Sequence, residues 1–176
     1  MYYIHITEKN SSSVYLQSAA NIKNSFSLML ETCDKIYYDI LLDTDTVAYL
    51  NYDFNAPKKA YSFSNIFGKL SSLMKYSDYI ESFYIYSVKS NHVLSTNSSN
   101  FLDEFSDKYW YTYIQDTKKQ NFITSHRNYS GKNILLLCYE LKNQDITEGY
   151  LIINIDIPLL EKYLLGTSGL KDCRIY

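Results

Sequence analysis

Glycine and proline are scarce in this chain, five and two among 176 residues, and they form no motif. No glycine-rich loop that could cradle a phosphate opens a helix, and no serine is flanked as a nucleophile elbow. The three cysteines, Cys33, Cys138 and Cys173, lie far apart without a C-x-x-C pair, so neither a metal site nor a disulfide framework is suggested. Cys33 and Cys138 fall on apolar patterns and read as small core hydrophobes. His5, His92 and His126 have no metal-ligand spacing and read as tail, turn and exposed strand-start residues.

Charge of one sign is missing too. Lys+Arg number 17 against 19 Asp+Glu, a net charge of -2, which gives no electrostatic case for nucleic acid or an anionic membrane. No run approaches the ~18 apolar residues of a membrane span, and residues 1–10 are no secretory signal. Carboxylates are scattered singly, and Asp43-Thr44-Asp45 reads as a helix end or turn rather than an acid–base pair. The reading is a non-enzyme without a cofactor.

Tyrosine is what the chain has in excess, twenty in all. An AT-rich coding sequence produces Tyr, Asn, Ile and Lys in abundance. Tyrosine also combines apolar area with a hydroxyl, which suits an amphipathic ligand pocket.

The patterning divides the chain, whose length suits one domain. Tyr15, Ala19, Ile22, Phe26, Met29, Cys33, Ile36 and Ile40 recur at alternating steps of four and three without Gly or Pro, which predicts one long helix over 15–40. Residues 10–13 offer N-caps. Phe63, Ile66, Leu70, Leu73, Ser77 and Ile80 predict a second helix, and a polar loop broken by Pro57 separates the two. Strands are expected at 82–88, 93–96, 122–129, 133–141 and 148–156, with turns at 89–92 and 130–132. A polar loop at 98–107 leads into a short helix at 107–116. The last strand ends in Asn154-Ile155-Asp156, where Asp156 can cap an exit helix bearing Pro158 in its first turn. The fold class is α+β, a five-stranded antiparallel sheet with flanking helices. Residues 171–176 read as the opening of a further strand, as in a piece of a longer protein.

The densest chemistry is aromatic, in Phe105-Ser-Asp-Lys-Tyr-Trp-Tyr-Thr-Tyr113. Trp110 and Tyr113 lie one helical turn apart, while Tyr109 and Tyr111 diverge. Either Trp110 anchors a crossover helix on the sheet, or this helix roofs a pocket floored by the sheet. In the second case Arg127 or Lys108 is the anionic anchor. The plain alternative for Arg127 is a strand-end side chain facing solvent.

Four pieces in order, I-x-S-F-Y-I-Y-S at 80–87, F-x-D-x-x-W at 105–110, the strand ending in His126-Arg127, and GYLIINID at 149–156 with its exit helix, carry a family resemblance. The chain resembles the extracellular Cache (PAS-like) sensor regions of bacterial membrane receptors, especially Firmicute membrane-anchored AraC-type regulators and their histidine-kinase relatives. The resemblance implies a stalk helix and loop over 1–60, a PAS-like lobe over 61–166, and the start of a second lobe or linker over 167–176. It implies extracellular sensing of a small molecule at the cell membrane, with relay to an AraC-type output or a histidine kinase. It also implies a homodimer in the full-length receptor, anchored through spans outside this segment. First and last strands of such lobes pair, so 82–88 and 148–156 are expected as central neighbours. The candidate ligand-binding residues are Lys108, Trp110, Tyr111, Tyr113 and Arg127. Amino-acid-binding members carry R-x-W-Y with a distant Tyr and Asp. Here Lys108-Tyr109-Trp110-Tyr111 has Lys in place of Arg, and no Asp follows on 122–127, so no ligand is assigned. A partner-binding scaffold is the alternative from another class. A sensor should hold a polar-lined cavity, a scaffold a filled core and an exposed apolar patch.

Overall fold

The computed structural model describes residues 2–54, 63–117 and 121–168. Helix α1 (Tyr2–Leu41) is one uninterrupted helix of 40 residues, about 60 Å long at 1.5 Å per residue. It begins earlier than the expected start, so the proposed caps at 10–13 lie inside it. The apolar stripe is used unevenly. Met29, Cys33, Ile36 and Ile40 are buried, whereas Tyr15 is 63% exposed. The C-terminal half therefore docks on the domain.

Asp43 starts α2 (Thr44–Leu50), its carboxylate accepting from the Thr46 N–H at 2.9 Å and the Thr46 hydroxyl at 2.8 Å. The second apolar stripe overran its helix. Helix α3 (Ser64–Leu73) gives way to a tight 3-10 turn at Met74–Tyr76, and Ser77 is extended at φ -158. Ile80 accordingly belongs to the first strand, because α3 buries Ile66, Leu70 and Leu73 without it. Pro57 and the rest of its loop at 55–62, like 169–176, lie outside the described residues.

Strands β1 (Ile80–Ser87), β2 (His92–Ser95), β3 (Ser99–Phe101), β4 (Phe122–Tyr129), β5 (Lys132–Asn143) and β6 (Ile146–Asp156) form one antiparallel sheet in the order β3-β2-β1-β6-β5-β4. The expected neighbours β1 and β6 are paired at its centre. The sheet has six strands instead of five. The extra one, Ser-Asn-Phe at β3, is too short and polar to show a period, and β2 recruits it through its free edge. A two-residue turn with Ser130 at φ 51 and Gly131 at φ 79 links β4 to β5. Helix α4 (Tyr109–Thr117) precedes β4, and α5 (Ile157–Ser168) follows β6, capped by Asp156 accepting from the Leu159 N–H at 3.0 Å.

The sheet is covered on both faces. Phe83, Ile85, Leu151, Ile153 and Ile155 join residues of α1, α2, α3 and α5 in the larger core. Tyr84, Tyr86, Leu136, Cys138 and Ile152 point the other way and pack with Phe105, Trp110 and Ile114 of the α4 segment. Gly149, opposite Ser87 on β1, is where α2 meets the sheet. A Cβ there would lie deep inside contact distance of the Tyr86 carbonyl and Leu50.

His92 departs most from its expected place in a polar turn. It opens β2 at 3% exposure, its Nδ1 3.1 Å from the Tyr49 hydroxyl, its Nε2 3.3 Å from Ser99 Oγ, and its ring stacked on Phe54 at 4.1 Å. Burial pushes its pKa down from 6.5 to about 4. The unfolded chain therefore takes up this proton first as pH falls, and the fold loses stability between about pH 6.5 and 4, by about 3 kcal/mol. Urea unfolding followed across that range checks this. His92→Gln should flatten that part of the pH profile, and an unchanged slope would remove His92 as its source.

Candidate functional site between the sheet and helix α4

Along β4, a bulge between Thr124 and Arg127 re-aims the strand just before Arg127. Arg127 does not face solvent. It is 8% exposed, and its side chain crosses above β5 to reach Asn154 on β6, Nη2 donating to Asn154 Oδ1 at 3.1 Å. Its main partner is Asp107, on the connection before α4. Nη1 donates to Asp107 Oδ1 at 2.7 Å and Nη2 to Oδ2 at 2.6 Å, a bidentate pair with both side chains buried. The Tyr84 hydroxyl of β1 donates to the same Oδ2 at 3.0 Å, and Asn154 Nδ2 donates to Ser82 Oγ at 3.0 Å. Burial, followed by the neighbouring Asp107 carboxylate, pushes the Tyr84 hydroxyl well above its usual pKa. Tyr84 thus stays a neutral donor. Tyr109 and Tyr129 flank the guanidinium with ring centroids 5.3 and 5.0 Å from its carbon.

The other candidates fall in two groups. Trp110 is 0% exposed, packed on Tyr86 at 5.3 Å and on Tyr111 at 5.8 Å between centroids, with the indole N–H unpartnered. Tyr111 is half-buried, 5.6 Å from Tyr86. Tyr113 is half-buried and stacks on Tyr109 at 6.5 Å. Lys108 is exposed and donates to the Asp103 carbonyl at 2.6 Å, so it does not converge with Arg127. The structure therefore gathers Arg127, Trp110, Tyr111 and Tyr113 on one face and leaves Lys108 outside.

Three participants, Asp107, Tyr84 and Asn154, were not singled out from sequence. Asn154 stands in an apolar strand whose alternation marks it as inward-facing, which was the available signal. Asp107 had none. Across the sheet, an open groove of about 910 Å3 runs between α1, α5 and the start of β1, lined by Thr32, Lys75, Tyr79, Lys162 and Tyr163 among others. Among the described residues no group of His, Cys, Asp and Glu could hold a metal ion. No described helix is long and apolar enough to cross a membrane.

No protein-family model matches the sequence. No curated protein matches it either. Solved structures do. The extracellular domain of the histidine kinase vpHK1S-Z8 superposes with a TM-score of 0.63 at 15% identity, over 89% of this chain and 62% of that one. The ligand-binding domain of the Pseudomonas aeruginosa PAO1 amino acid chemoreceptor PctC, in complex with GABA, gives 0.59 at 13% identity, over 90% and 67%. That of the Campylobacter jejuni chemoreceptor Tlp3, in complex with L-norvaline, gives 0.58 at 13% identity, over 89% and 63%. The chain spans about two thirds of the length of these domains. These sensory domains share its fold, a long helix followed by a curled antiparallel sheet.

Trp110→Ala should cost about 3–5 kcal/mol of unfolding free energy, because it empties the centre of the smaller core. Trp110→Phe keeps an aromatic ring and removes an unpaired N–H, so its cost should stay under about 1.5 kcal/mol. Urea titrations of both variants check this, and a Trp110→Ala loss below about 1 kcal/mol would show the ring to be dispensable packing.

Proposed function

We propose that this chain is the extracytoplasmic ligand-sensing domain of a membrane-bound signal-transduction protein, with its ligand site between the sheet and α4. The observation that carries the reading is the buried set of Arg127, Asp107, Tyr84 and Asn154, in a fold shared with sensory ligand-binding domains. An ion pair at this depth contributes little net stability over an apolar filling, so its presence favours recognition. Trp110, Tyr111 and Tyr113 form the apolar wall of the proposed site beside Arg127, and Lys108 lies at its rim. The division into a stalk over 1–60 and a lobe over 61–166 is part of the same proposal.

The output domain is the finer question. A histidine kinase or chemoreceptor output has counterparts among the structures named above. The AraC-type output expected from the sequence has none there and rests on the resemblance alone. A homodimer formed through α1 is favoured by the uncovered Val14, Tyr15 and Leu16, 56, 63 and 70% exposed.

One observation supports the second reading, a partner-binding scaffold. Trp110 and the Arg127–Asp107 pair fill the α4 face, where a sensor was expected to hold a cavity. Thermal unfolding against a panel of amino acids, other carboxylates and amines separates the two. A ligand present at about 100 times its Kd adds about 2.7 kcal/mol, several degrees of Tm for a domain of this size. A folded protein indifferent to the whole panel would leave the scaffold reading.

A further inference from the structure

We propose that the Arg127 fork and the Tyr84 hydroxyl form a carboxylate subsite whose built-in occupant is Asp107, exchanged for the carboxylate of a small-molecule ligand. This deepens the sensing reading above and rests on it. The receiving atoms all belong to the sheet: Arg127 on β4, Tyr84 on β1, and Asn154 on β6, which fixes the guanidinium through its Oδ1. The occupant belongs to the irregular connection between the 3-10 turn at Leu102–Glu104 and α4. Rigid donors and an acceptor carried on a connection are the arrangement in which the acceptor, and not the site, can move.

The geometry is that of ligand recognition. Two parallel N–H···O bonds at 2.7 and 2.6 Å with a third donor at 3.0 Å are how a guanidinium and a phenol hold a free carboxylate. Donors also exceed acceptors. Arg127 Nε and Trp110 Nε1 are buried on this face without a partner. Asp107 meets Nη1, Nη2 and Tyr84 and makes no bond to either of them. A ligand with a carboxylate and a further acceptor could serve them. Once Asp107 leaves, the guanidinium is an unpaired charge inside the lobe, which makes an anion obligatory and disfavours a neutral ligand.

Acetate is the probe, because it is the Asp107 side chain cut free. Asp107→Ala should lower Tm by roughly 10 °C, since it strands the buried guanidinium. Acetate raised to about 200 mM, against chloride at equal ionic strength, should return roughly 3–5 °C in a saturable manner. The wild type should not respond, because a tethered carboxylate competes at an effective concentration of mM or more. The double variant Asp107→Ala/Arg127→Met should not respond either. Should Asp107→Ala be unfolded without acetate, Asp107→Asn carries the titration, read by the Arg127 Nε–H resonance. No acetate-specific response in either single variant, or an equal one in the double variant, overturns the subsite. Carboxylate hits from the ligand panel should bind Asp107→Asn at least about tenfold more tightly than wild type, and hits of unchanged affinity overturn the exchange. A panel without hits, beside an intact acetate response, overturns the sensing reading and leaves the subsite standing.

Discussion

The pairing of β1 with β6 is the constraint on which the rest of the structure depends. Their register sets Phe83 opposite Ile153 and Ile85 opposite Leu151 on the helical side. On the other side it sets Ser82 opposite Asn154, Tyr84 opposite Ile152, and Tyr86 opposite Tyr150. Since successive side chains alternate faces, a slip of one residue would send the aliphatic set to the α4 face and the polar–aromatic set into the main core. The two cores thus hold the register from opposite sides. At the far end Ser87 faces Gly149, and the missing Cβ lets Leu50 reach the sheet while Ser87 Oγ donates to the Leu50 carbonyl at 2.9 Å.

That register also explains why a charged group can be buried here. Asn154 occupies an inward position in a strand otherwise filled by Leu151, Ile152, Ile153 and Ile155. Its amide joins Ser82 on one side to Arg127 on the other. Each removal from this line leaves a buried donor or acceptor unmatched, which costs more than the bond itself contributed. The line is costly to break piecemeal. A pair of apolar residues in the places of Arg127 and Asp107 would be no less stable, so stability alone does not account for their choice.

Where the sequence carried a strong period, the fold was legible in it. Helix α1, strands β1, β4, β5 and β6, and the Asp156 cap each stand on a repeat or a local hydrogen-bonding rule. The misses share a cause. The α3 stripe ran on to Ile80 because a strand residue happened to fall in helical phase, and β3 was invisible because three residues at an edge, two of them polar, are too few to show a period. His92 looked like a turn residue because its neighbours Lys89, Ser90 and Asn91 are polar. Its ring is buried by Tyr49 and Phe54, which arrive from more than thirty residues upstream. At the site, aromatic density picked out Trp110 and Tyr111. Asp107 could not be found that way, since its role comes from Arg127 meeting it across the fold.

The site and the long helix are joined by a short run of contacts. Asn154, which holds Arg127, lies two residues before Asp156, the cap of α5. Helix α5 in turn meets α1, where Ser25 Oγ donates to Thr167 Oγ1 at 2.8 Å. Contiguity alone is not coupling, because a signal needs an element with two arrangements that the ligand biases. In this fold the strands are pinned by two cores and α1 is a single rod, so neither offers a second arrangement. The exchange proposed at Asp107 puts one in the connection that bears it. Its carboxylate can be replaced by another, whereas Tyr84, which donates to it, and Asn154, which fixes Arg127, belong to the β1–β6 pair and cannot leave without unmaking that core. A ligand that differs from Asp107 in being untethered therefore acts first on the α4 connection. It reaches α1 to the extent that moving Arg127 also moves Asn154 and the strand end that starts α5.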